Sequence, residues 1–186
     1  MTLRLAMLGL VALLVPGGTW AGEQAAEPTT YRMEEYRAPV PGTLEGATVI
    51  DLRQAEALWR GGEAVFVDVL PQPPRPDLPA GTLWHPPERK NIPGSLWLAN
   101  TGFGALSPET EAYFVHELAR ATGKDKSADL VFYCLRDCWM SWNAAKRAVA
   151  LGYSAVHWYP DGTDGWAEAG LPLKDSQPAP SGTSVD

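Results

Sequence analysis

The stretch ADLVFYCLRDCWMSWNAAKRAVALG, residues 128–152, decides the fold. It begins with a short apolar run that ends at Cys134 and continues as a helical pattern that ends at Gly152. A continuous apolar run of this kind is typical of a strand that is buried on both faces of a parallel sheet. In open parallel sheets, the carboxyl ends of the strands form the ligand crevice. We therefore expect Cys134 to lie at a functional crevice.

The same alternation of strand and helix signals recurs on either side of this stretch. Residues 48–50 form a short apolar run, and Asp51 is a good N-cap for a helix that follows it. The run AVFVDVL at 64–70 predicts a central strand, residues 107–123 a second helix, and AVHWY at 155–159 a final strand. Repeated β–α units predict an α/β fold with a mainly parallel central sheet and helices on both faces.

Three segments lie outside this pattern. Residues 22–46 are polar and contain proline, which predicts an N-terminal extension with little regular structure that lies over the domain. Residues 71–93 contain eight prolines and predict an extended loop. Residues 174–186 are rich in proline, serine and glycine and predict a disordered tail. The domain itself is expected to span residues 47–173.

The first 21 residues have the pattern of a secretory signal peptide. Arg4 precedes an apolar run at 5–15, and small residues, ending at Ala21, follow a Pro-Gly-Gly break. The apolar run is shorter than the ~20 residues that span a bilayer as a helix, so we expect no permanent membrane span. Export of the bacterial kind predicts a periplasmic protein in an oxidising compartment.

Charge and composition exclude several classes of function. The 186 residues carry 15 Lys plus Arg against 22 Asp plus Glu, and this net charge of −7 argues against nucleic-acid binding. His85, His116 and His157 are scattered, so we predict no metal site and no cofactor. The segment PDGTDG at 160–165 lacks the ligands of a calcium hand and predicts a plain turn.

The residues around Cys134 predict thiol chemistry. A cysteine between a strand end and a helix start lies near backbone amides and the positive end of the helix dipole, so we expect the pKa of Cys134 to be lowered. Arg136 would favour the thiolate or hold an anionic substrate. Trp139 and Asp68 complete the predicted substrate-binding set, although strand-end hydrogen bonding is an alternative role for Asp68.

Cys138 leaves several mechanisms open. A compact turn would bring it within the ~4.4–6.8 Å Cα separation from Cys134 that a disulfide needs. It would then resolve a disulfide formed on Cys134 or discharge a persulfide from it. The alternative is a static disulfide that holds the loop in place.

The order of motifs resembles that of the rhodanese-like domain along residues 47–173. The matching residues are Asp68 at a strand end, Ile92-Pro93-Gly94 as a turn, Cys134 at the opening of a tight loop, and Gly165-Trp166 near the end. The resemblance implies a parallel α/β fold and sulfurtransferase chemistry at Cys134. Asp137, Cys138 and Trp139 stand where ordinary members place glycine and a second arginine or similar polar residue, so this loop contains no glycine to relieve tight curvature.

The segment CLRDCWMSW, residues 134–142, resembles a narrower group of exported rhodanese-like proteins. These carry a paired-cysteine and tryptophan motif, CxxCW, and are associated with PQQ-dependent alcohol catabolism, although three residues separate the cysteines here. The resemblance implies persulfide transfer or thiol–disulfide redox chemistry at Cys134 with Cys138. The implied partner is a small sulfur-containing or thiol substrate, or a periplasmic protein of quinoprotein alcohol oxidation. The alternative is a non-catalytic periplasmic binding or accessory protein with a structural Cys134–Cys138 disulfide.

Overall fold

The computed structural model describes residues 25–74, 76–79, 81–83, 85 and 87–180. The predicted signal peptide, residues 1–21, lies outside this range. Within the described residues, every helix is too short or too polar to cross a membrane.

A parallel sheet forms the centre of the domain. The strands in the described residues are β1 (Thr48–Val49), β2 (Val65–Asp68), β3 (Arg89–Asn91), β4 (Leu96–Trp97), β5 (Leu130–Tyr133), β6 (Val156–Trp158) and β7 (Lys174–Ser176). Five of them pair in parallel in the order β1-β6-β5-β2-β4, while β3 and β7 form a separate antiparallel pair. The prediction of an α/β fold with a mainly parallel sheet is confirmed.

Helices cover both faces of the central sheet. The helices in the described residues are α1 (Leu52–Gly61), α2 (Pro108–Ala121), α3 (Trp139–Ala150) and α4 (Gly162–Glu168). Leu130 and Phe132 of β5 belong to an apolar cluster with α2 and α3, whereas Val131 and Tyr133 belong to a second cluster with α1 and α4. Because successive side chains of a strand point to opposite faces, β5 is buried from both sides.

Local sequence signals account for where α1 begins. Asp51 accepts a hydrogen bond from the Gln54 backbone N–H at 2.9 Å, and the Gln54 side chain accepts from the Asp51 N–H at 2.9 Å. This reciprocal pair satisfies two backbone donors that the helix itself leaves unpaired. A cap of this type stabilises a helix by about 1 kcal/mol.

The N-terminal extension packs on α3. Residues 25–46 form no helix and no strand longer than an isolated bridge. The Asn143 side chain bonds both the N–H and the carbonyl of Arg32, and the Trp142 indole donates to the Thr43 carbonyl at 3.1 Å. Buried side chains of α3 therefore hold the extension against the domain.

Two segments differ from what the sequence predicts. The prediction of disorder from residue 174 onward is wrong for residues 174–179. The strand Lys174–Ser176 pairs with β3, and the Ala179 N–H donates to the Trp97 carbonyl at 2.8 Å. Residues 181–186 lie outside the described range. The plain turn predicted at 160–165 is present only at residues 160–161, because residues 162–165 are the start of α4, whose Trp166 is fully buried in the second apolar cluster. Burial of a large aromatic side chain outweighs the weak local helix propensity of this glycine-rich segment.

Candidate active site at the paired cysteines

The two cysteines lie on either side of a three-residue loop. Cys134 directly follows β5, and Cys138 is the N-cap of α3. The backbone turns sharply between them at Asp137, whose φ is +52°. Asp tolerates this left-handed conformation better than most residues, because its short polar side chain bonds locally. An aspartate therefore does here what a glycine does in other tight loops.

The start of α4 anchors the backbone of Cys134. The Thr163 N–H donates to the Cys134 carbonyl at 3.0 Å. Gly162 lies against the same carbonyl with a φ of +52°, and a Cβ at this position would overlap the carbonyl oxygen. Glycine is needed here both for the backbone conformation and for the close approach.

Both cysteines are free thiols and both are buried. Cys134 is fully buried and Cys138 is 2 % exposed. Burial raises the pKa of Cys134 well above its usual value, and the sulfur of Cys138 and the carboxylate of Asp68 add to the rise. A thiol in this position holds its proton at neutral pH.

Cys138 has the opposite electrostatic environment. The Cys134 thiol donates a hydrogen bond to the Cys138 sulfur, and this lowers the pKa of Cys138 to about 7 against the effect of burial. The backbone amides of Met140 and Leu135 and the charge of Arg37 lower it further. The pair is therefore about half ionised at pH 7, and the negative charge that it carries lies on Cys138.

The prediction that the pKa of Cys134 is lowered is wrong. The first-turn amide of α3 that stabilises a thiolate, from Met140, lies at Cys138 and not at Cys134. Cys134 instead ends a strand that is buried on both faces, where desolvation disfavours the charged form.

Asp68 forms a buried ion pair with Arg89. One Asp68 oxygen lies 2.8 Å from both Nε and Nη2 of Arg89, and the other accepts from the Leu70 N–H at 2.9 Å. Burial raises the pKa of Asp68, and the guanidinium opposes this rise. Arg89 Nη1 also reaches the Thr163 hydroxyl at 3.3 Å. Both carboxylate oxygens of Asp68 thus have protein partners, which fits the role of a strand-end hydrogen-bonding residue. Its substrate-binding role stays a prediction.

Arg136 faces α4. Its guanidinium binds both carboxylate oxygens of Glu168 at 2.6 and 2.7 Å, and Nε lies 3.4 Å from Asp161. Its backbone N–H donates to Asp164 at 3.0 Å. An anion bound by Arg136 would have to compete with these carboxylates, so its role as an anion-binding residue stays a prediction.

Trp139 is buried beneath the N-terminal extension. Its ring contacts Trp142 edge to face at 5.5 Å, and the Arg32 guanidinium lies 5.2 Å above it. Its backbone N–H donates to the Tyr36 carbonyl at 2.9 Å, which holds the extension next to Cys138. The buried indole N–H has no hydrogen-bond partner in the described part of the chain.

Sequence reasoning missed Arg89 and Arg37. Arg89 had a local signal, because it is a charged residue just before the Ile92-Pro93-Gly94 turn. No local sequence signal marks Arg37. It lies in a polar extension, and its bridge partner Cys138 is far away in the sequence. In the described residues no group of three or more His, Cys, Asp or Glu is placed to hold a metal ion.

One known family matches most of the domain. The family described as rhodanese-like domain matches residues 39–169. Among curated proteins none is significantly similar in sequence. Similar solved structures include an uncharacterized protein from Saccharomyces cerevisiae, at 22% identity over 67% of this chain and 93% of that one, with a TM-score of 0.43.

Two further similar structures are enzymes by their descriptions. The polysulfide-sulfur transferase homodimer of Wolinella succinogenes is 16% identical over 71% of this chain and 81% of its own, with a TM-score of 0.43. The anaerobic ergothioneine biosynthesis enzyme of Chlorobium limicola is 20% identical over 77% of this chain, with a TM-score of 0.47. This chain spans 34% of that enzyme's length. Since the family match covers more than half of the 186 residues, the chain belongs to the rhodanese-like domain family.

Proposed function

We propose that this chain is an exported thiol protein whose Cys134–Cys138 pair carries out sulfur transfer or thiol–disulfide exchange. The observation that carries the proposal is the pairing of two free, buried thiols of unequal pKa, with the proton on Cys134 and the anion on Cys138. Membership of the rhodanese-like family supports chemistry at sulfur. A thiolate, and not a thiol, is the nucleophile in both reactions.

The shared proton allows either sulfur to attack. Transfer of the proton along the hydrogen bond moves the charge from Cys138 to Cys134 without changing the charge of the pair. In sulfur transfer, the thiolate attacks a sulfane sulfur, the bond from that sulfur to its leaving group breaks, and a persulfide forms on the cysteine. The leaving group departs with the bonding electron pair.

In the exchange reaction, the pair reduces a substrate disulfide. The thiolate forms a mixed disulfide and expels one substrate thiolate. The second cysteine then attacks the mixed disulfide, expels the other substrate thiolate, and gives up its proton to it. The two cysteines end as a disulfide, and two electrons reach the substrate.

The proposed location is the periplasm, and the proposed context is PQQ-dependent alcohol oxidation. Residues 1–21 support export, because they have the charged start, apolar run and small-residue end of a signal peptide. The segment at 134–142 supports the alcohol-oxidation context through its resemblance to the paired-cysteine and tryptophan group. An intact mass that begins at residue 22 in a periplasmic fraction tests the location.

A second candidate function is that of a non-catalytic binding or accessory protein. The burial of both cysteines favours it, because Cys134 has no exposed surface and Cys138 is only 2 % exposed. In this case the cysteines form a disulfide that holds the loop and do not turn over.

The deciding experiment is intact-mass analysis of the periplasmic protein after acid quench and alkylation, with a titration of reductant. An easily reduced Cys134–Cys138 bond, or a gain of about 32 Da for one added sulfur on either cysteine, supports the thiol chemistry. A bond that resists strong reductant contradicts the thiol chemistry and supports the accessory role.

Growth of the native host on an alcohol, with Cys134→Ser/Cys138→Ser in place of the wild type, tests the proposed link to alcohol oxidation. A folded double variant that restores full growth would contradict a reactive role.

A further inference from the structure

Four arginines surround the cysteine pair, and one of them has a guanidinium without a partner among the described residues. Three are held by carboxylates at 2.6 to 2.9 Å: Arg32 by Glu35, Arg89 by Asp68, and Arg136 by Glu168. Arg37 is exposed, and its guanidinium has no hydrogen bond or ion pair with any described residue. It is therefore the arginine at this site whose donors remain available to a ligand.

The backbone places the Arg37 side chain over Cys138. The two residues form an antiparallel bridge, and the next residue pair is tied by the hydrogen bond from the Trp139 N–H to the Tyr36 carbonyl at 2.9 Å. Residues directly opposite in an antiparallel pair project to the same face, with Cβ atoms about 4.5–5.5 Å apart. The stem of Arg37 thus starts beside the Cys138 side chain while its charged end reaches solvent.

A cavity lies beside Trp139, the residue that follows Cys138. It has a volume of about 470 Å³ and is lined by Trp139 and by eight residues of the extension between Ala25 and Glu34. The buried Trp139 indole N–H has no partner in the described residues. A buried donor without a partner calls for an explanation, and here it belongs to a residue that lines the cavity.

We propose that Arg37 binds the anionic group of a disulfide substrate and positions its sulfur for Cys138. The inference rests on the proposed function, since it takes Cys138 as a reactive thiol. The substrate class is a disulfide with an anionic group near the S–S bond. The Cys138 thiolate attacks the nearer sulfur, the S–S bond breaks, and the farther half leaves as a thiolate. Cys134 then attacks the mixed disulfide at Cys138, releases the bound half, and transfers its proton to it.

The test compares a charged with a neutral probe in the full-length protein. The second-order rate constants for reduction of dithiobis(nitrobenzoate), a dianion, and of dithiodipyridine, which is neutral, are measured at low salt. Arg37→Gln is expected to lower the ratio of the anionic to the neutral rate by about ten-fold, whereas Arg37→Lys keeps most of it. Arg53→Gln is the matched control, because Arg53 is an exposed arginine of α1, outside the site.

The ratio of the anionic to the neutral probe rate distinguishes binding of the anion by Arg37 from effects on the pKa of Cys138 or on the fold. A change in the pKa of Cys138 or in the fold alters both rates together and leaves their ratio unchanged. A ratio in Arg37→Gln equal to that of the wild type would overturn the role of Arg37 while leaving the reactive pair intact. If neither probe reacts with the native wild type, the proposed thiol chemistry itself fails.

Discussion

The two sides of the cysteine pair differ in what surrounds each sulfur. On the strand side, Cys134 and Asp68 are fully buried, and Asp68 is paired with Arg89, whose side chain is 11% exposed. On the helix side, Cys138 and Trp139 lie at the start of α3, opposite Arg37 of the extension, whose guanidinium has no partner among the described residues. Burial raises the pKa of the first thiol, while a hydrogen bond and nearby positive groups lower that of the second.

This contrast shows how one fold keeps a thiolate next to a thiol. A single buried cysteine at the end of β5 would stay protonated. Placing the second sulfur four residues later brings it to the helix N-terminus, where amides and the hydrogen bond from Cys134 favour the anion. The strand side then acts as a rigid support and proton donor, and the helix side carries the charge.

The largest expected loss of stability comes from breaking the buried ion pair between Asp68 and Arg89. Arg89→Met leaves the fully buried Asp68 carboxylate without its counter-charge, and we expect the free energy of unfolding to fall by about 3–5 kcal/mol. Denaturant unfolding measures this change. Asp68→Asn combined with Arg89→Met should lose much less than the sum of the two single variants, because the pair is then removed as a unit. Additive losses would show that the two residues do not stabilise each other.

A smaller effect is expected in the pH dependence of stability under reducing conditions. The pKa of Cys138 is lowered from 9.0 to about 7 in the folded chain, so between these values the unfolded chain binds the extra proton. Stability should therefore rise from pH 7 to pH 9, by at most about 2 kcal/mol. It should fall again above pH 9, because folded Cys134 keeps a proton that the unfolded chain releases.

Cys138→Ser provides the control for this dependence. It removes the group whose pKa is lowered, so urea unfolding at pH 7 and pH 9 should give nearly equal stabilities for this variant. The same rise in Cys138→Ser as in the wild type would assign the effect to another group and would remove the basis for placing the thiolate on the helix side.

The smallest loss of stability is expected from substitution of Arg136. This guanidinium is 40% exposed and its partner Glu168 is 64% exposed, and exposed ion pairs contribute little to stability. We expect Arg136→Gln to shift the thermal unfolding midpoint by no more than about 2–4 °C. The ratio of anionic to neutral probe rates should stay that of the wild type. A large fall in that ratio would show that Arg136, and not Arg37, binds the anion.

Local sequence patterns were sufficient for the fold and for part of the site. The apolar run before Cys134 and the helical pattern after it correctly predicted β5 and α3. Asp51 correctly predicted the start of α1. The pattern failed at residues 160–165 and 174–179, because α4 and β7 depend on contacts with the core and with β3, which are distant in sequence.

Short-range periodicity and spacing are enough to predict the parallel α/β fold and the position of two cysteines around one tight loop. Which thiol is anionic and which arginine is available follows only from the folded chain. Those properties depend on burial and on charges that arrive from elsewhere in the chain: Asp68 and Arg89 on one side, and Arg37 on the other. Electrostatic energies depend on distance and solvent exposure, and neither quantity is encoded in the neighbouring residues of a sequence.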